Sequence, residues 1–298
     1  MAFDTSEPLT ADTFGDELLP GTTLFHGQYR IIRFINSGGF GITYLAKDSL
    51  DRDVVIKECF PNALCRRSTS LVRARSRKHQ GDFRGFVESF VAEAKSLARL
   101  VHPNIVGVHQ VFEDNGTAYM AIDFIDGLDL QQVIDGEGPR LSTDHIVKIT
   151  EKLLHAVGFI HDNDMLHRDI SPDNVLIDQT GEPILIDFGA ARDKASQSNR
   201  AMSALRVVKD GYSPQEFYIA GSEQGPWSDL YALGATLYHL LTGQRPVQAT
   251  DRASGVELIP PHRLVPSISR GVSDAVMWAM SIRVDDRPQA VSDFIDAI

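Results

Sequence analysis

The sequence predicts an α+β protein of two lobes, a small antiparallel β-sheet lobe with one main helix and a larger, mostly helical lobe. Between residues 29 and 124, runs rich in β-branched and aromatic residues alternate with turn signals, and a single long helical pattern interrupts them. After residue 124, apolar residues recur mainly with the period of a helix. The predicted parts are therefore an acidic extension (1–25), a sheet lobe (26–123) and a helical lobe (124–298).

The composition argues against two classes of protein. A formal net charge of -11 disfavours nucleic acid as the main partner, because phosphate backbones select clustered positive charge. No apolar run reaches the roughly 18 to 20 residues that a membrane-spanning helix needs, and the amino terminus lacks the cationic and apolar pattern of a signal peptide. The expected location is the cytoplasm, where Cys59 and Cys65 would be free thiols.

The sheet lobe is predicted to open with a β-hairpin. Residues 29–35 and 42–48 are β-rich, and Gly38, Gly39 and Gly41 lie between them. Without side chains the backbone there can close over phosphate groups and point N–H groups at them. On its own the pattern is more typical of an ordinary glycine-rich hairpin. A further strand, with the sequence VVIK, ends at residue 57.

A basic segment at about residues 60–85 separates this strand from the helical pattern. Against a single acid, Asp82, it carries the cations Arg66, Arg67, Arg73, Arg75, Arg77, Lys78 and Arg84. A charge run is most often a solvated loop. The other interpretation is a docking surface for an acidic partner, for a phosphorylated segment, or for the acidic residues of this chain's own extension.

The remaining elements follow from periodicity. Apolar residues recur every three or four positions across residues 86–100, which predicts an amphipathic helix. Strands predicted around 105–112 and 117–124 complete the small sheet. In the second lobe, helical patterns cover residues 129–134, 145–165 and 227–243.

A second predicted hairpin brings polar residues together. Residues 175–177 and 184–186 are apolar runs joined by a glycine turn. Asp169 and Asn174 precede the first strand and Asp187 follows the second, so all three lie at one end of the hairpin. Oxygen ligands of this kind suit Mg²⁺, which is usually held by one or two side chains and by substrate phosphates. This is the layout of a phosphoryl-transfer site.

Several strings, taken in order, resemble the protein kinase superfamily. They are the catalytic-loop string HRDISPDN, the metal-binding string DFG, the strand VVIK, HPNIV after the first helix, and the closing string GYSPQE. GGFGITYLAKD and KECFP are similar to bacterial (Hanks-type) serine/threonine kinases. The resemblance covers about residues 29–298. It implies the two-lobed protein kinase fold, proteins as substrates, and ATP with Mg²⁺ or Mn²⁺ as cofactors.

The resemblance also implies the role of each site residue. Lys57 would hold the α and β phosphates, Glu93 would orient Lys57, and Asp169 would accept or orient the proton of the attacking hydroxyl. Asn174 and Asp187 would hold the metal ion. The nucleotide-binding positions that it implies are Asn36, Ser37, Gly38, Gly39, Phe40, Gly41, Thr43, Val55, Lys57, Ile122, Asp123, Phe124, Ile125 and Leu176.

Three nucleotide-binding positions depart from the family's pattern. Asn36 replaces the first glycine of the glycine-rich loop and Thr43 replaces its valine. We expect both to be tolerated, because Asn accepts a left-handed turn and Thr is nearly isosteric with Val. Val55 stands where a small alanine is usual over the adenine, so that pocket should be tighter.

Two more departures concern the catalytic loop. The family usually has a lysine two residues after the catalytic aspartate and a threonine two positions before the closing G-Y pair, whereas this chain has Ser171 and Lys209. The hypothesis is an exchange of positions, in which Lys209 supplies the ammonium and Ser171 the hydroxyl, both as catalytic residues. The alternative is a simple loss of the lysine, with Lys209 solvated.

Other matches concern structure and control. Asp229 resembles the residue that fastens the catalytic loop, and Glu216 and Arg287 resemble a buried ion pair. Arg168 resembles the arginine that receives a phosphate from the activation segment, here expected on Ser196, Ser198 or Ser203. An internal apolar spine would comprise Leu97, Val108, His167 and Phe188, which makes the histidine structural.

The function implied is phosphoryl transfer from Mg-ATP to serine or threonine hydroxyls of proteins in bacterial signalling, with autophosphorylation of the activation segment. Two alternatives stay open: a nucleotide-binding pseudokinase that acts by docking, and a kinase for small molecules. All five polar catalytic positions are present, which disfavours the first, and the closing string disfavours the second.

Overall fold

The computed structural model describes residues 15–188 and 208–298. Two compact units make up the chain: one runs to Ala98 and adds Val108–Phe124, and the other comprises Arg99–Gly107 and Ile125–Ile298. The domain bounds inferred from the sequence stay a prediction. Gly189 of the DFG string and the three predicted phosphorylation sites, Ser196, Ser198 and Ser203, lie outside the described residues.

The first unit is built on an antiparallel six-stranded sheet. In chain order the strands of the structure are β1 (Thr23–Leu24), β2 (Tyr29–Ser37), β3 (Gly41–Asp48), β4 (Asp53–Cys59), β5 (Cys65–Ser68), β6 (Leu71–Ala74), β7 (Val108–Asp114), β8 (Thr117–Asp123), β9 (Gly127–Asp129), β10 (Val175–Asp178) and β11 (Pro183–Leu185). The six-stranded sheet has the order β1-β2-β3-β4-β8-β7, β5 pairs with β6, and β11-β10-β9 form a small sheet in the second unit.

Helix α1 (Gln80–Leu97) packs against β4, β7 and β8 of the sheet. It begins six residues before the predicted start at Phe86, because Phe83 is also buried and extends the apolar stripe upstream. Gly81 and Gly85 dilute the helical signal in this turn, since glycine is a poor helix former. The prediction of one main helix beside the sheet is confirmed.

The basic segment is not irregular, although six of its seven cations, all except Arg67, are exposed to solvent as the first interpretation expected. It forms the β5–β6 hairpin, whose inner face buries Cys65 and Val72, and Val72 N donates to Asn115 O at 2.8 Å. Period-2 alternation is hard to see in so short a cationic run, yet it decides which side chains turn inward. Arg66 and Arg73 face each other across the hairpin and are exposed.

The described part of the acidic extension is folded. Leu18 is buried, its N–H donates to the Tyr44 hydroxyl at 3.1 Å, and β1 pairs with β2. Cys59 and Cys65 are free and buried, as expected, and burial raises the pKa of the Cys65 thiol to about 12. Within the described ranges no helix is long and apolar enough to cross a membrane.

The second unit is mostly helical, as predicted. The long central helix, Pro226–Thr242, is apolar on all sides and almost wholly buried, and Gly243 ends it in the left-handed region at φ 68°. In chain order the helices of this unit are α2 (Leu130–Ile134), α3 (Thr143–Asp162), α4 (Pro226–Thr242), α5 (Ala249–Ala253), α6 (Pro261–Leu264), α7 (Arg270–Ala279) and α8 (Val291–Ile295).

Candidate functional site: the catalytic loop and the nucleotide-binding sheet

Asp229 on α4 fastens the start of the catalytic loop. Its carboxylate accepts hydrogen bonds from His167 N at 2.9 Å, from Arg168 N at 2.7 Å and from His161 Nε2 at 2.9 Å. Burial alone would raise the pKa of Asp229, but the hydrogen bonds and charge of His161 and the loop amides hold it below its usual value. The loop is therefore fixed by an ionised side chain, which confirms the predicted role of this aspartate.

Asn174 orients Asp169. The Asn174 side-chain nitrogen donates to Asp169 O at 2.7 Å and to Asp169 Oδ2 at 2.8 Å, and both residues are buried. Because its nitrogen faces Asp169, the amide turns its oxygen to the other side. Ile186 N donates to the main-chain carbonyl of Asn174 at 3.0 Å, which ties the residue before Asp187 to the residue that orients Asp169. The hairpin thus places the three polar residues at one end, as predicted.

Two residues of this region have strained backbones. Arg168 has φ 65° and Asp187 has φ 61°, in the left-handed region that L side chains rarely adopt. Such conformations cost about 1–3 kcal/mol each and persist only where the surrounding structure holds them. Here the Asp229 carboxylate holds Arg168 N, and Ile186, which precedes Asp187, is tied to Asn174.

His167 is a structural residue. It is fully buried, its Nε2 donates to Ile186 O at 3.0 Å, and its Nδ1 accepts from Asp169 N at 3.3 Å. The two partners fix the neutral tautomer, and burial lowers the pKa of the imidazole. Its ring packs on Phe188 with the centroids 4.5 Å apart. The two other members of the predicted spine, Leu97 and Val108, belong to the first unit.

Lys209 reaches the catalytic loop. Its Nζ donates to Ser171 Oγ at 2.7 Å and lies 3.7 Å from Asp169 Oδ2. Ser171 is buried and Lys209 is only partly exposed, so this lysine is not a freely solvated surface residue. The structure therefore brings the Lys209 ammonium near the Asp169 carboxylate and into contact with the Ser171 hydroxyl, which is the contact that the exchange hypothesis requires.

Asp173 is the residue that sequence reasoning missed. Its Oδ1 and Oδ2 accept from Lys209 Nζ at 2.9 and 2.8 Å, and Oδ1 also accepts from Ser171 Oγ at 2.6 Å. Burial works to raise the pKa of Asp173, but the Lys209 ammonium and these hydrogen bonds hold it below its usual value. The signal available in the sequence was an acid two residues after Ser171, in a loop that the exchange hypothesis places beside a lysine.

The first unit carries the predicted phosphate-binding pair. Lys57 lies near the end of β4, between Thr43 on β3 and Met120 on β8. Glu93 is half-buried on α1, which packs against β4. The sheet holds the lysine and the helix carries the glutamate, so both predicted residues lie on regular elements of one unit.

The glycine-rich tip closes the β2–β3 hairpin. Gly38 N donates to Gly41 O at 2.9 Å, and Asn36 pairs with Thr43. A Cβ at Gly41 would lie 2.8 Å from Glu58 O on β4, so only glycine fits this close approach. The Phe40 ring stacks on Phe86 of α1 at 5.6 Å. The two remaining residues predicted to bind the nucleotide in this loop, Ser37 and Gly39, are exposed.

The predicted adenine-binding residues fall on two small sheets and a connection. Val55 on β4 is paired with Ile122 on β8. Asp123 ends β8, exposed Phe124 is the last residue of the first unit, and Ile125 belongs to the second unit. In that unit Leu176 lies on β10, between its neighbours on β9 and β11.

The donor set fits a hard divalent cation. Within residues 15–188 and 208–298, no three His, Cys, Asp or Glu side chains are grouped as a metal site. The predicted ligands are the Asn174 amide oxygen and the Asp187 carboxylate, which with phosphate oxygens would give the all-oxygen binding that Mg²⁺ favours. Two oxygen ligands at one end of a hairpin meet that requirement.

The closing string is held by a buried ion pair, as predicted. Arg287 NH1 and NH2 donate to the Glu216 carboxylate at 2.7 and 3.0 Å, and Ser228 Oγ adds a hydrogen bond at 2.8 Å. Both charged side chains are almost completely buried. The bidentate geometry ties residues 71 positions apart.

Comparisons with known proteins agree with this geometry. The sequence profile described as "Protein kinase domain" matches residues 29–295. "Serine/threonine-protein kinase PrkC" of Bacillus subtilis is 31% identical over 270 residues, covering 90% of this chain and 37% of that protein. "Serine/threonine-protein kinase PknA" of Mycobacterium tuberculosis is 31% identical over 295 residues, covering 93% of this chain and 62% of that protein.

The solved structure titled "PpkA-294 apo form" superposes with a TM-score of 0.82 at 33% identity, covering 95% of this chain and 99% of that one. This chain spans only about a third to three-fifths of the length of the two curated relatives. The profile match extends over most of the sequence and includes both units. The chain belongs to the protein kinase family, in its bacterial Hanks-type serine/threonine branch.

Proposed function

We propose that this chain transfers the γ-phosphoryl group of Mg-ATP to serine or threonine hydroxyls of proteins. The observation that carries the proposal is the cluster of Asp169, Asn174 and Lys209, in which Asp169 and Asn174 lie on a loop fastened by Asp229 and Lys209 reaches them from a later segment. Phosphoryl transfer needs positioning and charge neutralisation more than covalent chemistry, and this cluster supplies both. Relatives named as serine/threonine kinases support the acceptor class.

The polar residues divide the tasks of this mechanism among them. Asp169, held by Asn174, orients the acceptor hydroxyl and accepts its proton. Lys57 binds the α and β phosphates and Glu93 orients Lys57. Asn174 and Asp187 would hold the divalent cation, which would supply neutralisation of charge on the phosphates. Mn²⁺ would suit the same oxygen ligands as Mg²⁺.

The exchange of positions belongs to the same proposal. Lys209 carries a positive charge to within 3.7 Å of Asp169 Oδ2, where the transferred group and the acceptor hydroxyl meet. Ser171 supplies a hydroxyl that helps to fix the ammonium. A lysine is a movable point charge for phosphate, so it can act from this segment of the chain as well as from the catalytic loop.

Nucleotide recognition is assigned to the glycine-rich tip and to the residues around Val55, Ile122 and Leu176, with the backbone of residues 123–125 pairing with adenine. Partner binding is assigned to the outer face of the β5–β6 hairpin, where exposed Arg66 and Arg73 suit an acidic or phosphorylated protein segment. Like charges directly opposite on a hairpin are unfavourable, so an anionic partner would relieve them.

The test is transfer of labelled phosphate from ATP with Mg²⁺ to a generic protein acceptor, followed by mapping of the modified residues. Asp169→Asn should abolish transfer but keep nucleotide binding, whereas Asp187→Asn should also lose metal-dependent ATP binding. Asp162→Asn, an exposed acid at the end of α3, is the matched control and should behave as wild type.

Each rival function gives a different result. Nucleotide binding without transfer to any acceptor would indicate a pseudokinase, and transfer to a small molecule alone would indicate a small-molecule kinase. Label on residues of the segment between Asp187 and Lys209 would support autophosphorylation. Unchanged transfer by Asp169→Asn would remove the proposed catalytic site.

A further inference from the structure

Asp173 contacts Lys209 more closely than Asp169 does. Both Asp173 carboxylate oxygens lie within 2.9 Å of Lys209 Nζ, whereas Asp169 Oδ2 is 3.7 Å away, beyond hydrogen-bonding distance. Ser171 Oγ bridges Lys209 and Asp173, because it accepts from Lys209 Nζ and donates to Asp173 Oδ1. Three side chains thus form a closed ring of hydrogen bonds at the edge of the catalytic carboxylate.

The ammonium of Lys209 needs hydrogen-bond partners that fix its position. Lys209 is 36 residues from Asp173 along the chain, so the catalytic loop does not itself fix where the ammonium lies. The lysine stem is flexible and carries about 2 kcal/mol of rotamer entropy, which opposes a single placement. The ammonium donates paired hydrogen bonds to the Asp173 carboxylate and one hydrogen bond to the Ser171 hydroxyl, and these bonds select that placement.

The backbone of Lys209 is also part of a fixed turn. Lys209 N donates to Ser213 Oγ at 2.8 Å, and the amides of Tyr212 and Ser213 donate to Lys209 O at 3.0 and 2.9 Å. This turn overlaps the closing string and fixes the backbone of Lys209. Asp173 binds the ammonium at the other end of the Lys209 side chain, and this contact connects the turn to the catalytic loop.

We infer that Asp173 is a positioning residue that holds the Lys209 ammonium beside Asp169 and fastens residues 208–213 onto the catalytic loop. The inference rests on the proposed kinase function. It adds a condition to that function: the Lys209 ammonium lies beside Asp169 only while the segment that carries Lys209 is fastened to the catalytic loop. The half-exposed position of the Asp173 side chain makes this fastening accessible to solvent and to a substrate.

A kinetic cycle tests the positioning role. Asp173→Asn keeps the shape of the side chain but removes its charge, and it should lower kcat by about tenfold to a hundredfold, the scale of losing correct placement of a reacting group. The KM for ATP should stay unchanged. Asp173→Glu should restore part of the loss, and Asp162→Asn should keep the wild-type kcat because it lies outside this ring.

The cycle is completed with Lys209→Ala. If Asp173 acts through Lys209, the double variant should be no slower than Lys209→Ala alone. Losses that multiply in the double variant would overturn the inference, as would an Asp173→Asn enzyme that is as fast as wild type. A faster Asp173→Asn enzyme would also overturn it, because Asp173 would then restrain Lys209 rather than place it.

A second measurement does not depend on activity. Hydrogen exchange of the amides of Tyr212 and Ser213 in the nucleotide-free chain should be faster in Asp173→Asn and in Lys209→Ala than in wild type, and unchanged in Asp162→Asn. Unchanged exchange in both ring variants would contradict the fastening. If wild type transferred no phosphate to any acceptor, the proposed function would fail, and the exchange result alone would decide this inference.

Discussion

At the residue scale, the catalytic loop and the segment that reaches it depart from the family's pattern at two positions. The pattern has a lysine at position 171 and a threonine at position 209, whereas this chain has Ser171 and Lys209, which are in contact at 2.7 Å. Two side chains that touch can exchange sequence positions with little change in the space that they fill. What changes is the segment of the chain that carries the charge.

We therefore predict coupling between positions 171 and 209. The paired change Ser171→Lys with Lys209→Thr should recover more turnover than either change alone, because the ammonium then returns to the same space from the catalytic loop. The single change Lys209→Thr should lower kcat by about a hundredfold or more, the scale of losing one charge stabiliser in a transition state. Steady-state kinetics of the three variants would check this.

The kinetics of the paired variant can also contradict the prediction. If the paired variant is no better than Lys209→Thr, the two positions are not interchangeable and the exchange hypothesis is wrong. Thermal unfolding of each variant serves as the control, since a misfolded loop would lower stability and turnover together.

The β5–β6 hairpin shows how one element can depend on a single backbone position. Gly116, in the turn between β7 and β8, has φ 75°, and a Cβ there would lie 2.7 Å from Val72 O. The neighbouring Asn115 O accepts from Val72 N. The hairpin packs on this turn only because residue 116 has no side chain.

Gly116→Ala should therefore destabilise the protein twice. The left-handed conformation costs about 1–2 kcal/mol for an alanine, and the clash with the β6 carbonyl adds to it. Gly27→Ala separates the two effects, because Gly27 has φ 87° but a methyl group there would meet no atom of the described residues within 4 Å. Urea unfolding should show a larger loss for Gly116→Ala, and equal losses would mean that the hairpin yields without cost.

At the scale of the whole first unit, a buried polar network joins segments that are far apart in the sequence. Glu58 accepts hydrogen bonds from the Tyr44 and Tyr119 hydroxyls at 2.8 Å, and it pairs with Arg67 from the β5–β6 hairpin. The Arg67 side chain is almost fully buried, and it also donates to the Asp16 backbone. The extension, the hairpin and the strand that carries Lys57 thus share one network.

Removing the cation from this network should leave a buried carboxylate without its charge partner. Arg67→Met is expected to cost about 3–5 kcal/mol of unfolding free energy. Adding Glu58→Gln should recover part of that loss, because the uncompensated charge is removed. Arg66→Met, an exposed neighbour on the other face, should change stability by no more than about 0.5 kcal/mol. Equal losses for Arg66→Met and Arg67→Met in urea unfolding would contradict the network.

The sequence by itself determined the family, most element types and most polar residues of the candidate site, but not the β5–β6 hairpin or the contact of Asp173. Short strings such as HRDISPDN are read locally, and the periods of strands and helices follow from covalent geometry. Asp169, Asn174 and Asp187 could be placed at one end of a hairpin because two apolar runs and a turn lie within about twenty residues.

Only the tertiary structure decided which partners meet over long separations. That Asp173 holds Lys209 and that Arg67 turns inward to Glu58 and Asp16 could not be read from the sequence. Both depend on register and packing, since a shift of one residue in a strand turns every side chain to the opposite face. The basic segment shows the limit: its charges were visible, but one arginine is buried and its neighbour is exposed because β5 alternates between the two faces of the hairpin.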